Sequence, residues 1–235
     1  MKIQFGQEDK NKIRELARSS FFAMCPPLHK GAGKKGEETI WLEKREQTLP
    51  ECIPEMTYKI YKDISVKDGK IWVSKYGFSS GSIFGEQLEQ YLKSVIVYGM
   101  CIEEKEQSSS ESMLECYYED CYRTALLDGG RKWLRDKLKR EEKKKYDEAV
   151  EVSSAIGPGF FGIGMETIPD FLNLMDGEEI GLRVFHGALY PDKASVGFYL
   201  VASGIGQMEY KDCASCLGRG KNCAFCMNQK EEKFR

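Results

Sequence analysis

Neither sign of charge is in surplus in this sequence: Lys and Arg nearly balance Asp and Glu, leaving a formal net charge of −2. A nucleic-acid-binding domain normally presents a basic face, so this balance argues against nucleic acid as a partner. Long apolar runs are also missing. The longest, Val95-Ile96-Val97-Tyr98-Gly99-Met100-Cys101-Ile102, falls well short of the roughly 20 residues needed to cross a bilayer, so no membrane span is expected. The opening Met1-Lys2-Ile3-Gln4-Phe5-Gly6-Gln7-Glu8 lacks the apolar centre of a secretory leader, and the expected location is the cytoplasm. Histidine is scarce, with only His29 and His186 among 235 residues.

What is present is a chain 41% apolar and 31% charged, enough to bury a sizeable core, with length for one large domain or two small ones. Nine cysteines, an odd number in a chain expected to be cytoplasmic, point to thiols or metal ligands rather than a disulfide framework.

Residues 8–24 read as an amphipathic helix, with Ile13, Leu16, Ala17, Phe21 and Met24 on one face and Pro26-Pro27 as its stop. Gly31-Ala32-Gly33-Lys34-Lys35-Gly36 lacks Walker spacing and a preceding apolar strand, and reads as a solvated loop. A short helix is expected within residues 40–56. A hairpin follows, Tyr58–Ile64 and Ile71–Val73, turning at Asp68-Gly69. Residues 84–93 read as a helix and Ser94–Ile102 as a central strand. A long helix spans 111–145. Its Gly129-Gly130 fits close packing against another element as well as a kink, at about 1 kcal/mol per glycine. Ile168–Met175 reads as a short helix. Leu182–Leu189 and Ser195–Ala202 read as a final antiparallel hairpin. Helices mixed with hairpins, without βαβ alternation, give an α+β class.

Two stretches carry chemical signal. Gly157-Pro158-Gly159-Phe160-Phe161-Gly162-Ile163-Gly164 is half glycine, which lets backbone approach a ligand closely and take positive φ; a plain packed turn with both phenylalanines in the core is the competing reading. Near the C-terminus, Cys213-Ala214-Ser215-Cys216 and Cys223-Ala224-Phe225-Cys226 lie six residues apart. Four thiolates so spaced suit Zn²⁺ or a [4Fe–4S] cluster, and Lys211, Arg219, Lys221 and Lys230 would stabilise the electron-rich centre of either kind. Cys101, Cys116 and Cys121 read as small core residues.

The ordered series over residues 50–205 resembles the activation domain of cobalamin-dependent methionine synthase in its stand-alone form. Gly157-Pro158-Gly159-Phe160 is followed by a short helix, then Glu178-Glu179-Ile180-Gly181-Leu182-Arg183, then Tyr190-Pro191-Asp192-Lys193-Ala194-Ser195-Val196-Gly197. Upstream, Tyr58–Ile64, Phe78-Ser79-Ser80, Leu88–Leu92 and Val95–Ile102 keep the expected order. The resemblance implies a twisted antiparallel sheet flanked by helices. It also implies that the chain holds S-adenosylmethionine against a partner's corrinoid, so that cobalt trapped as Co(II) is reduced by one electron and methylated. The cobalamin would come from a corrinoid protein or B12-dependent methyltransferase. On this basis Gly157, Pro158, Gly159, Phe160, His186 and Ser195 are candidate cofactor-binding residues, and Cys213, Cys216, Cys223 and Cys226 are candidate metal ligands. His186, read on a strand beside the loop, stands where the family often has Glu, and Phe160 where it often has Tyr. The family also places an Arg shortly before its Pro-Gly turn to pair with the ligand's carboxylate. Here Val152-Ser153-Ser154-Ala155-Ile156 contains no cation. Residues 1–206 are expected to form the α+β domain and 207–235 a metal-binding tail. Two other functions fit the same residues: a docking module for a corrinoid protein, with the cysteines as a structural zinc site, and a distinct small-molecule enzyme on the same fold.

Overall fold

The structure is a computed structural model and describes residues 2–26, 36–49, 52–79, 86–103, 112–146, 149–160 and 162–203. Its centre is a four-stranded antiparallel sheet with strand order β1-β5-β9-β6, formed by β1 (Glu55–Tyr61), β5 (Leu92–Cys101), β9 (Ala194–Ser203) and β6 (Val150–Val152). β5 is the apolar run of the sequence, and its burial on both faces explains why it does not alternate. Ile96, Tyr98 and Met100 face one layer, and Val95, Val97 and Cys101 face the other. β9 divides in the same way, with Tyr199 and Val201 on the first side and Val196, Phe198 and Leu200 on the second.

Helices cover the first face: α1 (Gln7–Met24), α2 (Glu37–Thr48) and the long α3 (Met113–Lys145). α3 begins with a reciprocal cap. The Glu115 backbone N–H donates to Ser112 Oγ at 3.2 Å, and the Ser112 N–H donates to the Glu115 carboxylate at 2.9 Å. Lys143, Lys144 and Lys145 fill its last turn, where cations complement the helix dipole. Gly129 and Gly130 sit inside unbroken helix, so close packing is their role. A Cβ on Gly129 would lie 2.5 Å from the Ile13 carbonyl oxygen and 2.9 Å from the Ala17 nitrogen, and one on Gly130 would run into Met56 of β1. Phe21, Trp41, Tyr118 and Tyr122 join the three helices in an aromatic cluster with ring centroids 5.7–6.2 Å apart.

The second face carries a three-stranded sheet, β2 (Ile64–Lys67), β3 (Lys70–Val73) and β4 (Tyr76–Ser79), together with α4 (Ile168–Leu174). Phe78, Phe171 and Phe198 bind β4, α4 and β9 together; the Phe171 ring lies 4.5 Å from Phe78 and 5.8 Å from Phe198.

Several sequence expectations need correction. Residues 86–91 form a 3₁₀ turn rather than an α-helix. The hairpin at Asp68-Gly69 is made by β2 and β3, while residues 55–61 belong to the main sheet. β4 and β6 were not foreseen; they are four and three residues long. The last hairpin is also different. β7 (Arg183–Phe185) and β8 (Ala188–Tyr190) pair with each other, while β9 goes to the sheet centre between β5 and β6. The reason is burial: β9 is apolar on both faces, and a place within the main sheet sets it between the helical layer and the second layer.

Among the described residues, no helix is long and apolar enough to cross a membrane. The boundary expected at residue 206 and the four-cysteine segment lie outside the described residues.

Candidate functional site

The Pro-Gly stretch leaves the sheet at a point of very close approach. Ile156 bridges to Phe198 of β9 through two backbone hydrogen bonds of 2.9 and 2.7 Å. The flanking Gly157 and Gly197 make this possible. A Cβ on Gly157 would collide with the Val196 carbonyl oxygen, and one on Gly197 would collide with that of Ile156. The chain then turns through Pro158-Gly159. Phe160 N–H donates to the Gly157 carbonyl at 2.9 Å, and Gly159 takes φ +81°. Proline second and a left-handed glycine third is the residue pattern of a type II turn. Gly159 N–H reaches on to the Ile163 carbonyl at 2.9 Å, and Ile163 is buried.

This turn forms one wall of a cleft of about 580 Å³. β9 and β5 form the floor, with Ser195, Tyr199 and Tyr98. The opposite wall is one face of α3, where Thr124, Asp128, Arg131 and Arg135 recur at helical spacing. Gly157, Pro158, Phe160 and Ser195 thus meet at one site, and Gly159 lies within the same turn. Phe160 is not a core residue: it is 52% exposed, and its ring centroid lies 5.6 Å from the Arg131 guanidinium carbon. Phe161 is outside the described residues.

His186 lies elsewhere. It occupies the tight turn between β7 and β8, at φ +48° and next to Gly187 at +81°. Two consecutive left-handed residues suit a two-residue hairpin turn, which accounts for the break in the expected strand. The His186 ring packs on Phe185 at 4.2 Å and does not line the cleft.

The α3 wall was missed in the sequence. Arg131, Lys132 and Arg135 all line the cleft. Their signal in the sequence was a cluster of cations directly after Gly129-Gly130, flanking the buried Trp133-Leu134 pair. Burial works against the Arg131 charge, but Tyr98 and Asp128 outweigh it and raise the guanidinium's pKa further. Asp128 accepts from Ser20 Oγ of α1 and from Lys132 Nζ at 2.7 Å, and it pairs with Arg131 at 3.4 Å. Burial alone would raise the Asp128 carboxyl; Arg131, Lys132 and Ser20 reverse this and hold it below its ordinary value. Tyr98 and Tyr199, ring to ring at 5.0 Å, have phenols raised chiefly by burial. The Tyr199 hydroxyl donates to the Arg131 carbonyl at 2.9 Å, and Arg135 Nε donates to the Val152 carbonyl at 3.1 Å.

This geometry sets two expectations. Gly197→Ala must push β9 away from Ile156, and overpacking of this kind costs about 1–3 kcal/mol. Thermal unfolding should show a drop of roughly 2–12 °C, at about 2–4 °C per kcal/mol for a chain of this size. An unchanged midpoint would mean the two strands are not in contact. The second expectation concerns pH. The folded-state pKa of Asp128 is depressed, so its contribution is complete above the unfolded value of about 4 and is lost as pH falls through the folded value. Asp128→Asn should therefore cost about 1–3 kcal/mol at pH 7, a gap that narrows on acidification below about pH 4. A gap constant from neutral to strongly acidic pH in denaturant titrations would contradict the pairing.

No protein-family model matches the chain, and no curated protein matches its sequence. The fold itself is recognisable: an α+β arrangement of antiparallel sheet and helices, that of the methionine synthase activation domain. A solved structure that shares it is the crystal structure of the MetH reactivation domain bound to AdoHcy, at a TM-score of 0.55 and 11% identity over 88% of this chain and 79% of that one. At that identity the likeness is one of fold.

Proposed function

We propose that this chain holds S-adenosylmethionine in the cleft between α3 and the Pro-Gly turn. It then presents the ligand to a corrinoid protein or B12-dependent methyltransferase and so supports reductive methylation of the inactive cobalt centre. The observation that carries this reading is the cleft itself. A Pro-Gly turn, a half-exposed aromatic ring and a cationic helix face converge on a space of about 580 Å³, within the about 300–1,000 Å³ typical of small-molecule sites. They do so in a fold shared with a domain crystallised with AdoHcy.

The residues contribute by different chemistry. Phe160 offers a flat apolar surface at the cleft mouth. Ser195, on the floor, brings a hydroxyl to the cleft. Gly157 keeps the turn against β9, so the wall is rigid where the ligand would lie. Bound S-adenosylmethionine would supply the methyl group, leaving S-adenosylhomocysteine. The chain's own contribution is orientation. Isothermal calorimetry of the whole chain with S-adenosylmethionine and with S-adenosylhomocysteine tests the reading. Saturable binding of both is expected, and no heat at millimolar ligand would overturn it.

The tail at 207–235 belongs to the same proposal as a metal-binding appendage, with Cys213, Cys216, Cys223 and Cys226 as ligands. Its support is the pairing of two Cys-x-x-Cys units across a glycine-containing spacer. Metal and sulfide analysis after anaerobic purification separates its two forms. Colourless protein with about one zinc per chain marks a structural clasp. Brown protein containing sulfide marks a cluster able to pass the electron. Protein with neither would remove the metal from the account.

A further inference from the structure

The cleft is electrically lopsided. Among the described residues three cations line it, Arg131, Lys132 and Arg135, against one carboxylate, Asp128, and all four come from α3; Arg135 is already engaged, in part by the Val152 carbonyl. Asp128 is 15% exposed and already engaged by Ser20, Lys132 and Arg131, so it neutralises only part of the wall. Arg131 is held without being saturated. Its side chain is 22% exposed, its contact with Asp128 is a long 3.4 Å, and its guanidinium rests against the Phe160 ring. A contact that long is weak, and the flat fork of an arginine is best satisfied by two parallel bonds to one carboxylate. Lys132, 46% exposed, stands next to it; Asp128 and Ser20 take two of its three donors, leaving one. An arginine fork left partly open beside an exposed lysine offers one carboxylate adjacent charge-assisted donors.

We propose that this face of α3 is the anion subsite of the cleft, with Arg131 and Lys132 receiving the α-carboxylate at the amino-acid end of the ligand. The inference rests on the reading of the cleft as an S-adenosylmethionine site and adds the group that is recognised and the residues that recognise it. It also accounts for the cation-free stretch from Val152 to Ile156: the positive charge facing the turn comes from across the cleft. Arg135, which donates to the Val152 carbonyl, ties that stretch to the same helix.

The test compares S-adenosylmethionine with decarboxylated S-adenosylmethionine, which keeps the sulfonium, the adenosine and the amine. Calorimetry of the whole wild-type chain should show the carboxylated ligand binding about 10- to 100-fold tighter, the range set by one or two charge-assisted hydrogen bonds. Arg131→Gln should bring the two affinities to within a few-fold of each other, and Lys132→Gln should narrow the gap. Both variants are checked for a cooperative melt, and the wild-type comparison holds whether or not they fold. Equal wild-type affinities would overturn the subsite while leaving the ligand reading intact, as would a preference that survives both substitutions. Binding of neither ligand to the wild type would overturn the ligand reading and the subsite with it.

Discussion

Phe171→Ala is expected to be among the most damaging single changes in the chain, costing about 3–5 kcal/mol. That is a large share of the roughly 5–15 kcal/mol by which a domain is stable. Phe171 is completely buried, and its ring touches Phe78 and Phe198. Truncation would therefore open a cavity where β4, α4 and β9 meet. The surroundings cannot easily collapse into it, because Phe198 is fixed by backbone bonds to Ile156 and by its place in the sheet. The effect should also reach the cleft. α4 follows the Pro-Gly loop directly, and Ile168 in its first turn lines the site. Denaturant unfolding should show a lower midpoint at unchanged slope. Phe160→Ala is the contrast: its half-exposed ring should cost under about 0.5 kcal/mol of stability and act on ligand affinity instead. Equal destabilisation by the two changes would mean that the second layer is not packed as described.

Gly129→Val should be nearly as severe, at about 3 kcal/mol, the upper end for overpacking. Even a methyl at this position meets the Ile13 carbonyl at 2.5 Å, and backbone cannot rotate out of the way as a side chain can. α1 would have to lift from α3, exposing Ile13, Ala17 and Phe21, all completely buried. Valine's better helix propensity would recover only a few tenths of a kcal/mol. Ser20 of α1 donates to Asp128 in the cleft wall, so the shift should also disturb the site. Thermal unfolding should drop by roughly 6–12 °C. A neutral or stabilising result would indicate that the glycine is tolerated within the helix rather than needed for the helix pair.

The large elements were legible because their patterns are strong. β5 is continuously apolar, as a strand buried on both faces must be, and α1 carries a clean stripe of Ile13, Ala17 and Phe21. The α+β class followed from their order. β4 and β6 were not legible; they are too short to show a period. β7 and β8 were read as one strand because the break is made by His186 rather than a glycine or asparagine, and only the neighbouring Gly187 hints at it. The candidate site was half legible. Gly157, Pro158, Phe160 and Ser195 stood out by local chemistry or by resemblance. The cations did not, because Arg131 and Arg135 sit in a helix among many charged residues. Which of those charges face inward depends on the crossing of α3 over β5 and β9, a property of the tertiary packing rather than of any window of sequence.

The central claim is that a small ligand sits between α3 and the Pro-Gly turn. Hydrogen–deuterium exchange with and without saturating S-adenosylhomocysteine tests it most directly, since it locates the ligand as well as detecting it. Slowed exchange is expected in peptides covering residues 153–160 and 194–199 and along α3 around Arg131, with little change in β2, β3 and α2. Protection confined to other segments, or none at saturation, would contradict it.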